Sequence, residues 1–315
     1  MDEKVVALLN ELDTILIGKK SQLKTIIATV LCGGNILLED SPGVGKTIIS
    51  KSIAKLIKTK ESPNIKFSRI QGTPDLLPYD ITGVDVYDPE KKEFSFKHGP
   101  VFADILLVDE LNRATPKVQS ALLQAMAEKQ VTVGNMTYSL PEIFFVIATQ
   151  NPIESEGTYP LPAAQLDRFT ICINIGYPSF EDEQYILQKG KSEDRLNLLQ
   201  PVMDVEEILN IRNDIKKIEV NEKIIHVIGK VAERSRDFKD LKLGLSTRAC
   251  LMMIDILKSF AYINNRDFVT DQDLIDLSPF VWAHRLILTN PQTKAKDIIM
   301  RLVREEIRKV FKKLI

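Results

Sequence analysis

Cysteine and histidine are scarce in this chain of 315 residues, and both are scattered along it. The three cysteines, Cys32, Cys172 and Cys250, lie far apart and form no CxxC motif. Such a set predicts reduced cysteines in the core or in neutral roles, in a reducing compartment, and we therefore expect a cytoplasmic protein. The three histidines give no spacing typical of a metal site.

Long apolar runs are also missing. The longest runs, such as ILLV at 105–108 and FFVIA at 144–148, are a few residues long, whereas a membrane-spanning helix needs about twenty. The first residues, MDEKVVALLNELD, open with two acids and lack the pattern of a signal peptide. We expect no membrane insertion.

The chain has no excess of charge of one sign. It contains 42 Lys and Arg against 43 Asp and Glu, which gives a formal net charge of −1. A global field that drives the protein onto nucleic acid is therefore excluded, although a local basic groove remains open. The hydrophobic content of 44% with 27% charged residues is ordinary for a globular protein.

In the first part of the chain, short apolar runs alternate with helical patterns. Near-continuous apolar runs are typical of parallel strands that are covered on both faces. The predicted strands are 35–39, 65–70, 104–110, 144–150 and 170–176. Between them, residues 118–126 have helical periodicity, with Thr115 as the expected N-cap and Pro116 as the first helical residue. The alternation predicts an αβα sandwich around a five-stranded parallel sheet.

Two insertions interrupt this pattern, and the second half of the chain differs from the first. Residues 71–100 fit neither period, and 131–140 predict a hairpin around Gly134-Asn135. From about residue 178 the patterns are helical. We therefore expect an α/β domain at 1–190 and an all-helical domain at 195–315.

Two local signals concern one segment of the predicted helical domain, residues 270–288. Thr270 and Asp273 form a capping box at its start. Pro279 is expected to break or kink it.

The segment SPGVGKT at 41–47 lies between a predicted strand and a predicted helix, the context that a phosphate-binding loop requires. Glycine amides would surround phosphate oxygens, Lys46 would reach the β- and γ-phosphates, and the Thr47 hydroxyl would bind Mg²⁺. The strict pattern has Gly where this chain has Asp40. The alternative is a Gly/Pro loop with an incidental lysine. The predicted nucleotide-binding residues of this loop are Pro42, Gly43, Val44, Gly45, Lys46, Thr47 and Ile48.

A second strand, ILLVDE at 105–110, ends in two acids. In an open parallel sheet the carboxyl ends of strands collect ligands, so Asp109 would lie beside the phosphate loop and hold Mg²⁺. Glu110 could accept a proton from an attacking water or orient it. The alternative is a strand that ends in solvated acids.

Taken together, these segments resemble AAA+ ATPases of the MoxR family over nearly the whole chain. The resemblance is carried by LLEDSPGVGKT (37–47), QGTPDLLPYDITG (71–83), GPVFADILLVDELNRATPKVQSALLQAMAE (99–128), FVIATQNPIESEGTYPLPAAQLDRF (145–169), LGLSTRA (243–249) and the stretch from NRDFVT to HRLIL (265–288). The resemblance implies an ATP- and Mg²⁺-dependent ATPase with a helical lid domain.

The resemblance also implies individual roles. Asn151 matches the polar sensor that orients the attacking water, although NP is also a common turn. Arg168 in LDRF matches the arginine finger, which would act on a neighbouring subunit, and Arg113 is the reserve candidate. Arg248 matches the second sensor, acting within its own subunit or on a neighbour. Ile17 and Gly18 resemble the segment that touches adenine.

Two positions depart from the family pattern. Ala163 stands where the family usually has Glu, which puts the strength of the subunit interface in question. Gly72 stands where the family usually has a bulky apolar residue.

The leading hypothesis for function is an ATP-hydrolysing chaperone that forms a ring, expected as a hexamer, and remodels or matures client proteins. The resemblance suggests clients or adaptors with von Willebrand factor A domains, and assistance in cofactor or metal insertion. A nucleic-acid motor or loader is an alternative that the balanced charge disfavours, and nucleic-acid stimulation of the ATPase would reveal it. A non-hydrolysing nucleotide switch is a further alternative, against which Glu110, Asn151 and Arg168 argue.

Overall fold

A computed structural model describes residues 3–40, 45–90, 92–151, 157–290 and 292–311. The predicted loop residues Pro42, Gly43 and Val44 lie outside the described residues. Within the described ranges, no helix combines the length and the apolar character that crossing a membrane requires.

The described residues form both helices and strands, with the following bounds. The helices are α1 Glu3–Ile15, α2 Lys20–Leu31, α3 Lys46–Leu56, α4 Pro78–Thr82, α5 Pro116–Glu128, α6 Ala163–Leu166, α7 Phe180–Lys189, α8 Ser192–Leu198, α9 Val205–Lys217, α10 Glu222–Arg236, α11 Thr247–Ile263, α12 Asp271–Trp282 and α13 Ala295–Phe311. The strands are β1 Ile36–Glu39, β2 Ile57–Lys58, β3 Phe67–Gln71, β4 Gly83–Asp88, β5 Glu93–His98, β6 Ile105–Asp109, β7 Gln130–Val133, β8 Met136–Ser139, β9 Phe145–Gln150, β10 Ile171–Ile173, β11 Met203–Asp204, β12 Leu241–Leu243 and β13 Ile287–Leu288.

The main sheet has five parallel strands in the order β10-β1-β9-β6-β3, which confirms the predicted sheet. Alternate side chains of a strand point to opposite faces, and β1, β6, β9 and β10 are buried almost throughout, whereas the edge strand β3 is partly exposed. On β1, Ile36 and Leu38 join the core cluster that contains α1, α2 and α3, whereas Leu37 joins the cluster that contains α5. The sheet is therefore the middle layer of an αβα sandwich.

The two predicted insertions each contain a hairpin. The β7-β8 hairpin turns at Gly134-Asn135, as predicted. The β4-β5 hairpin within 71–100 was not predicted, and most of its side chains are exposed. The Phe96 ring of β5 stacks on the Tyr138 ring of β8, with centroids 4.3 Å apart. The two hairpins thus support each other on one side of the sheet.

The second half of the chain is helical, with one small addition to the prediction. The strands β12 and β13 form a short antiparallel pair within the helical region. Thr270 and Asp273 form the predicted capping box. Pro279 does not end α12, since the helix continues through it to Trp282.

The helical region shares its core with the sheet. One apolar cluster contains Ile36 of β1, Leu257 of α11 and Leu302 of α13. The hydroxyl of Ser259 on α11 donates to the carbonyl of Ala28 on α2 at 2.7 Å. The division into domains at 1–190 and 195–315 therefore stays a prediction.

The three cysteines are free. Burial raises the pKa of the Cys32 thiol to about 12 and the pKa of Cys172 well above its ordinary value. Both thiols are therefore protonated at neutral pH, in agreement with the predicted neutral role.

Candidate functional site

The register of the sheet brings the chemically important strand ends to one edge. Glu39 of β1 lies opposite Gln150 of β9, and Asp109 of β6 lies opposite Gln71 of β3. All four residues end or nearly end their strands, and the strands are parallel. Whatever follows each strand, including the phosphate loop and Glu110, therefore emerges at the same edge, where open α/β sheets bind ligands.

The described part of the phosphate loop begins at Gly45. This residue has a left-handed backbone with φ 91°, which favours glycine, and it precedes the first turn of α3. Lys46 and Thr47 open the helix, and both are half-buried. The Lys46 ammonium donates to the backbone carbonyl of Asp40 at 2.7 Å, so it points back toward the carboxyl end of β1. The positive end of the α3 dipole faces the same space.

Asp40, which replaces the glycine of the strict motif, has a structural partner of its own. Its carboxylate accepts hydrogen bonds from the amides of Ile175 and Gly176, at 2.5 and 3.0 Å. The side chain is buried. Asp40 thus fastens the start of the loop to the segment that follows β10, a contact that a glycine could not make.

The two acids at the end of β6 are held by neighbouring strands. The Asp109 carboxylate is buried and accepts hydrogen bonds from Arg69 Nε of β3 at 2.6 Å and from the Thr149 hydroxyl of β9 at 3.4 Å. Glu110 donates its amide to the same Thr149 hydroxyl at 2.9 Å. Sequence reasoning missed Arg69 and Thr149, because their contacts depend on the strand order.

The side chain of Glu110 is also oriented. The Gln71 amide donates to Glu110 Oε2 at 3.0 Å, and Arg113 Nη1 lies 3.1 Å from the same oxygen. The backbone of Glu110 is left-handed, with φ 54° and ψ 49°, an uncommon conformation for a residue with a side chain. Such strain persists where the surroundings impose it and is frequent at functional sites.

Gly72, the second departure from the family pattern, packs directly against these acids. Its amide donates to the Asp109 carbonyl at 2.7 Å. A Cβ at this position would lie 2.3 Å from the Glu110 carbonyl oxygen and 3.0 Å from that of Asp109. Only glycine allows this approach without displacement of the backbone. Gly72 therefore contributes to the position of Glu110.

The predicted adenine-contacting segment lies beside the phosphate loop. A Cβ placed on Gly45 would be 3.9 Å from Leu16 Cδ2, next to Ile17. Gly18 has φ 74°, and Asp182 occupies the space that a Gly18 side chain would need. Ile17 and Gly18 line a cavity of about 480 Å³ together with Tyr185 and Arg195.

Asn151 is buried at the carboxyl end of β9, on the edge that carries Glu110.

The two predicted arginines lie elsewhere. Arg168 precedes the amino end of β10, the opposite edge of the sheet from Lys46, and donates to the Leu123 carbonyl of α5. Arg248 lies in the first turn of α11 and is exposed, and its side chain makes no hydrogen bond or ion pair with the described residues. The structure thus brings Lys46, Thr47, Asp109, Glu110 and Asn151 to one edge and separates Arg168 from them.

A buried polar cluster next to Arg168 was not predicted. Arg285 is buried, and its Nε donates to Asp167 at 2.9 Å. Burial lowers the pKa of Arg285 from its ordinary value, and the Asp167 carboxylate opposes that change. Burial, followed by the charge of Arg285, holds the pKa of His284 well below its usual range.

The fold and this edge define a P-loop ATPase with a helical lid. Residues 35–171 match the family described as "ATPase family associated with various cellular activities (AAA)", and residues 233–306 match the AAA lid domain. The chain belongs to the MoxR family of AAA+ ATPases, as its sequence indicated.

The similar proteins support this assignment over most of the chain. Chaperone MoxR1 of Mycobacterium tuberculosis is 38% identical over 292 residues, which cover 89% of this chain and 74% of that protein. The uncharacterized protein YeaC of Bacillus subtilis is 38% identical over 301 residues, covering 96% of this chain and 92% of that one. A crystal structure of a protein assigned as an ATPase, from Cytophaga hutchinsonii, has a TM-score of 0.83 and 35% identity, and covers 96% of each chain.

Proposed function

We propose that this ATPase is a chaperone that remodels or matures client proteins and that its catalytic edge is built from Lys46, Thr47, Asp109, Glu110 and Asn151. The convergence of these residues at one end of the parallel sheet supports the catalytic edge, and the similarity to Chaperone MoxR1 supports the chaperone role. Lys46 and the first amides of α3 would bind the β- and γ-phosphates. Ile17 and Gly18, beside the loop, would contact the adenine.

Glu110 is the proposed general base. Its carboxylate is oriented by Gln71 and Arg113 rather than left mobile, which positions an acceptor for the proton of the attacking water. Asn151, at the end of the neighbouring strand, would donate to the same water. Arg113 contacts Glu110 within its own subunit. This contact favours Arg168 over Arg113 as the arginine finger.

The donor set fits Mg²⁺ bound together with nucleotide phosphates. Thr47 offers a hydroxyl at the start of α3, and Asp109 offers a carboxylate at the same edge. Among the described residues, no group of three or more acids, cysteines or histidines could hold a metal alone. This agrees with the usual behaviour of Mg²⁺, which takes one or two carboxylates and completes its shell with phosphates and water. The bound ion would neutralise phosphate charge.

We infer that Arg168 completes the site of a neighbouring subunit in a ring, for which six subunits are expected. It precedes β10, whereas Lys46 follows β1, and these strands are parallel neighbours. The length of the strand, about 10 Å or more, separates the two residues. Arg248, exposed on α11, is the proposed second sensor, in its own site or in a neighbour's.

A mixing experiment tests the shared site. Glu110→Gln and Arg168→Ala proteins should each be nearly inactive alone. In a mixed ring, the Arg168→Ala subunit keeps its loop and Glu110, and its Glu110→Gln neighbour supplies the finger. ATPase activity should reappear. Absence of recovery in co-assembled rings would mean that Arg168 does not act between subunits.

The chaperone activity needs a separate test. Glu110→Gln protein should bind ATP without turnover and retain its client, because the cycle stops before hydrolysis. We expect that affinity capture with this variant and ATP recovers proteins that are missing when Lys46→Ala, which should not bind nucleotide, is used instead. Clients with von Willebrand factor A domains, or apoproteins awaiting a cofactor or metal, are the proposed class. Equal recovery with both variants, or ATPase stimulation by DNA or RNA alone, would contradict the chaperone proposal.

A further inference from the structure

The residue before the proposed finger is bound to the helical lid rather than to the sheet. The Asp167 carboxylate accepts the Ser246 hydroxyl, at 2.9 Å to Oδ2 and 3.1 Å to Oδ1. It also accepts Arg285 Nε at 2.9 Å. Ser246 and Arg285 both belong to the helical region, more than seventy residues further along the chain. Asp167 is therefore the polar junction between the turn that carries Arg168 and the lid.

The rest of this turn is fastened to the same part of the lid. Arg285 also donates to the carbonyls of Phe169 and Thr170, at 2.5 and 3.3 Å. His284 Nε2 lies 3.3 Å from the Phe169 carbonyl. Arg285 is 3% exposed, and charged hydrogen bonds that are shielded from water are the strong ones. Residues 167–170 are thus held by the lid on one side and by the α/β region on the other, where the Thr170 amide donates to the Asn35 carbonyl at 2.8 Å.

The same junction reaches the proposed second sensor. Ser246 is the N-cap of α11, and its oxygen accepts the amide of Ala249 at 3.0 Å while its hydroxyl proton goes to Asp167. Arg248 lies two residues beyond Ser246, in the first turn of α11. One hydroxyl therefore connects the helix end that carries Arg248 to the turn that carries Arg168.

We propose that Asp167 is a positioning residue through which the lid of one subunit sets the place of Arg168 in the neighbouring subunit's active site. The inference rests on the proposed shared site. A lid movement that follows nucleotide binding would move Ser246 and Arg285 together, and Asp167 would carry that movement to the finger. Nucleotide binding in one subunit is then coupled to ATP hydrolysis in its neighbour.

The experiment compares two mixtures, in which one substitution is placed either in the subunit that donates the finger or in the subunit that receives it. Asp167→Asn keeps the size of the side chain and removes its charge. It is combined with Glu110→Gln in the subunit that donates the finger, or with Arg168→Ala in the subunit that receives it. The receiving subunit carries Arg168→Ala and so has no arginine finger to position. Asp167→Asn in that subunit is therefore the control. Ring assembly is checked by size-exclusion chromatography and folding by thermal melting.

We expect the recovered ATPase rate to fall about ten- to a hundredfold when Asp167→Asn is on the finger donor, because a displacement of about 1 Å costs up to that much. On the receiving subunit the recovery should stay near that of the parent mixture. Ser246→Ala, a second variant that keeps Arg285 in place, is tested on the finger donor alone, where it should lower the recovered rate as Asp167→Asn does. Equal losses in both placements would overturn the inference and indicate a structural role. If the parent mixture recovers nothing, the shared site itself fails, and this inference fails with it.

Discussion

Gly72→Ala should impair hydrolysis while leaving the phosphate loop intact. The new Cβ would lie 2.3 Å from the Glu110 carbonyl oxygen and 2.9 Å from its carbonyl carbon. Both are backbone atoms, which cannot rotate away as a side chain would. To regain a separation of 3.0 Å, the backbone of Gly72 or Glu110 must move by about 0.7 Å or more. Because the atoms that the Cβ meets belong to Glu110, a shift of that backbone displaces the proposed base.

A displacement of this size should lower kcat by about ten- to a hundredfold and stability by about 1–3 kcal/mol, the usual range for overpacking. The affinity for ATP, measured by calorimetry, should change little, since Lys46 and α3 are not touched. The assay is steady-state phosphate release with thermal melting in parallel. A loss of affinity with unchanged kcat would refute the reasoning.

Gly229→Ala is the matched control. Gly229 lies on the exposed face of α10, and a Cβ there would meet no atom within 4 Å. Alanine is favoured over glycine within helices by up to about 1 kcal/mol. The control should therefore be neutral or slightly stabilising, with normal ATPase activity. If both variants lose activity alike, proximity to Glu110 is not the cause.

Three further predictions concern the loop, the base and acid stability. Glu110→Gln should bind ATP normally and lose about 10²–10⁴-fold in turnover, so normal phosphate release would show that Glu110 is not the base. Asp40→Ala should weaken the attachment of the loop to Ile175 and raise the KM for ATP, and an unchanged KM would contradict that role. The pKa of His284 is lowered in the folded state, so the unfolded state binds more protons below about pH 6.5. The free energy of unfolding in urea should therefore fall on acidification, by up to about 1.4 kcal/mol per pH unit, and His284→Gln should flatten this dependence.

The sheet could be predicted because its strands are short apolar runs with polar ends. β1 and β6 are buried on both faces, and such runs differ from an amphipathic helix in both length and period. The candidate edge followed from the same reasoning, since parallel strands put their carboxyl ends together. The hairpin at Gly134-Asn135 followed from the conformational freedom that its turn needs.

Other features depend on contacts between distant segments and could not be predicted. The β4-β5 hairpin leaves most of its side chains exposed, so no buried face marks it. The role of Asp40 requires the amides of Ile175 and Gly176. The attachment of Asp167 to Ser246 and Arg285 joins parts of the chain that only the tertiary fold brings together.

The most direct test of the shared active site is the ATPase rate of Glu110→Gln and Arg168→Ala proteins mixed in varied proportions. Active junctions form only where an Arg168→Ala subunit receives a finger from a Glu110→Gln neighbour. The rate should therefore rise from near zero at either end to a maximum at equal amounts, where random assembly makes about one junction in four active. A rate that stays near zero at every proportion, in rings shown to contain both proteins, would contradict the account.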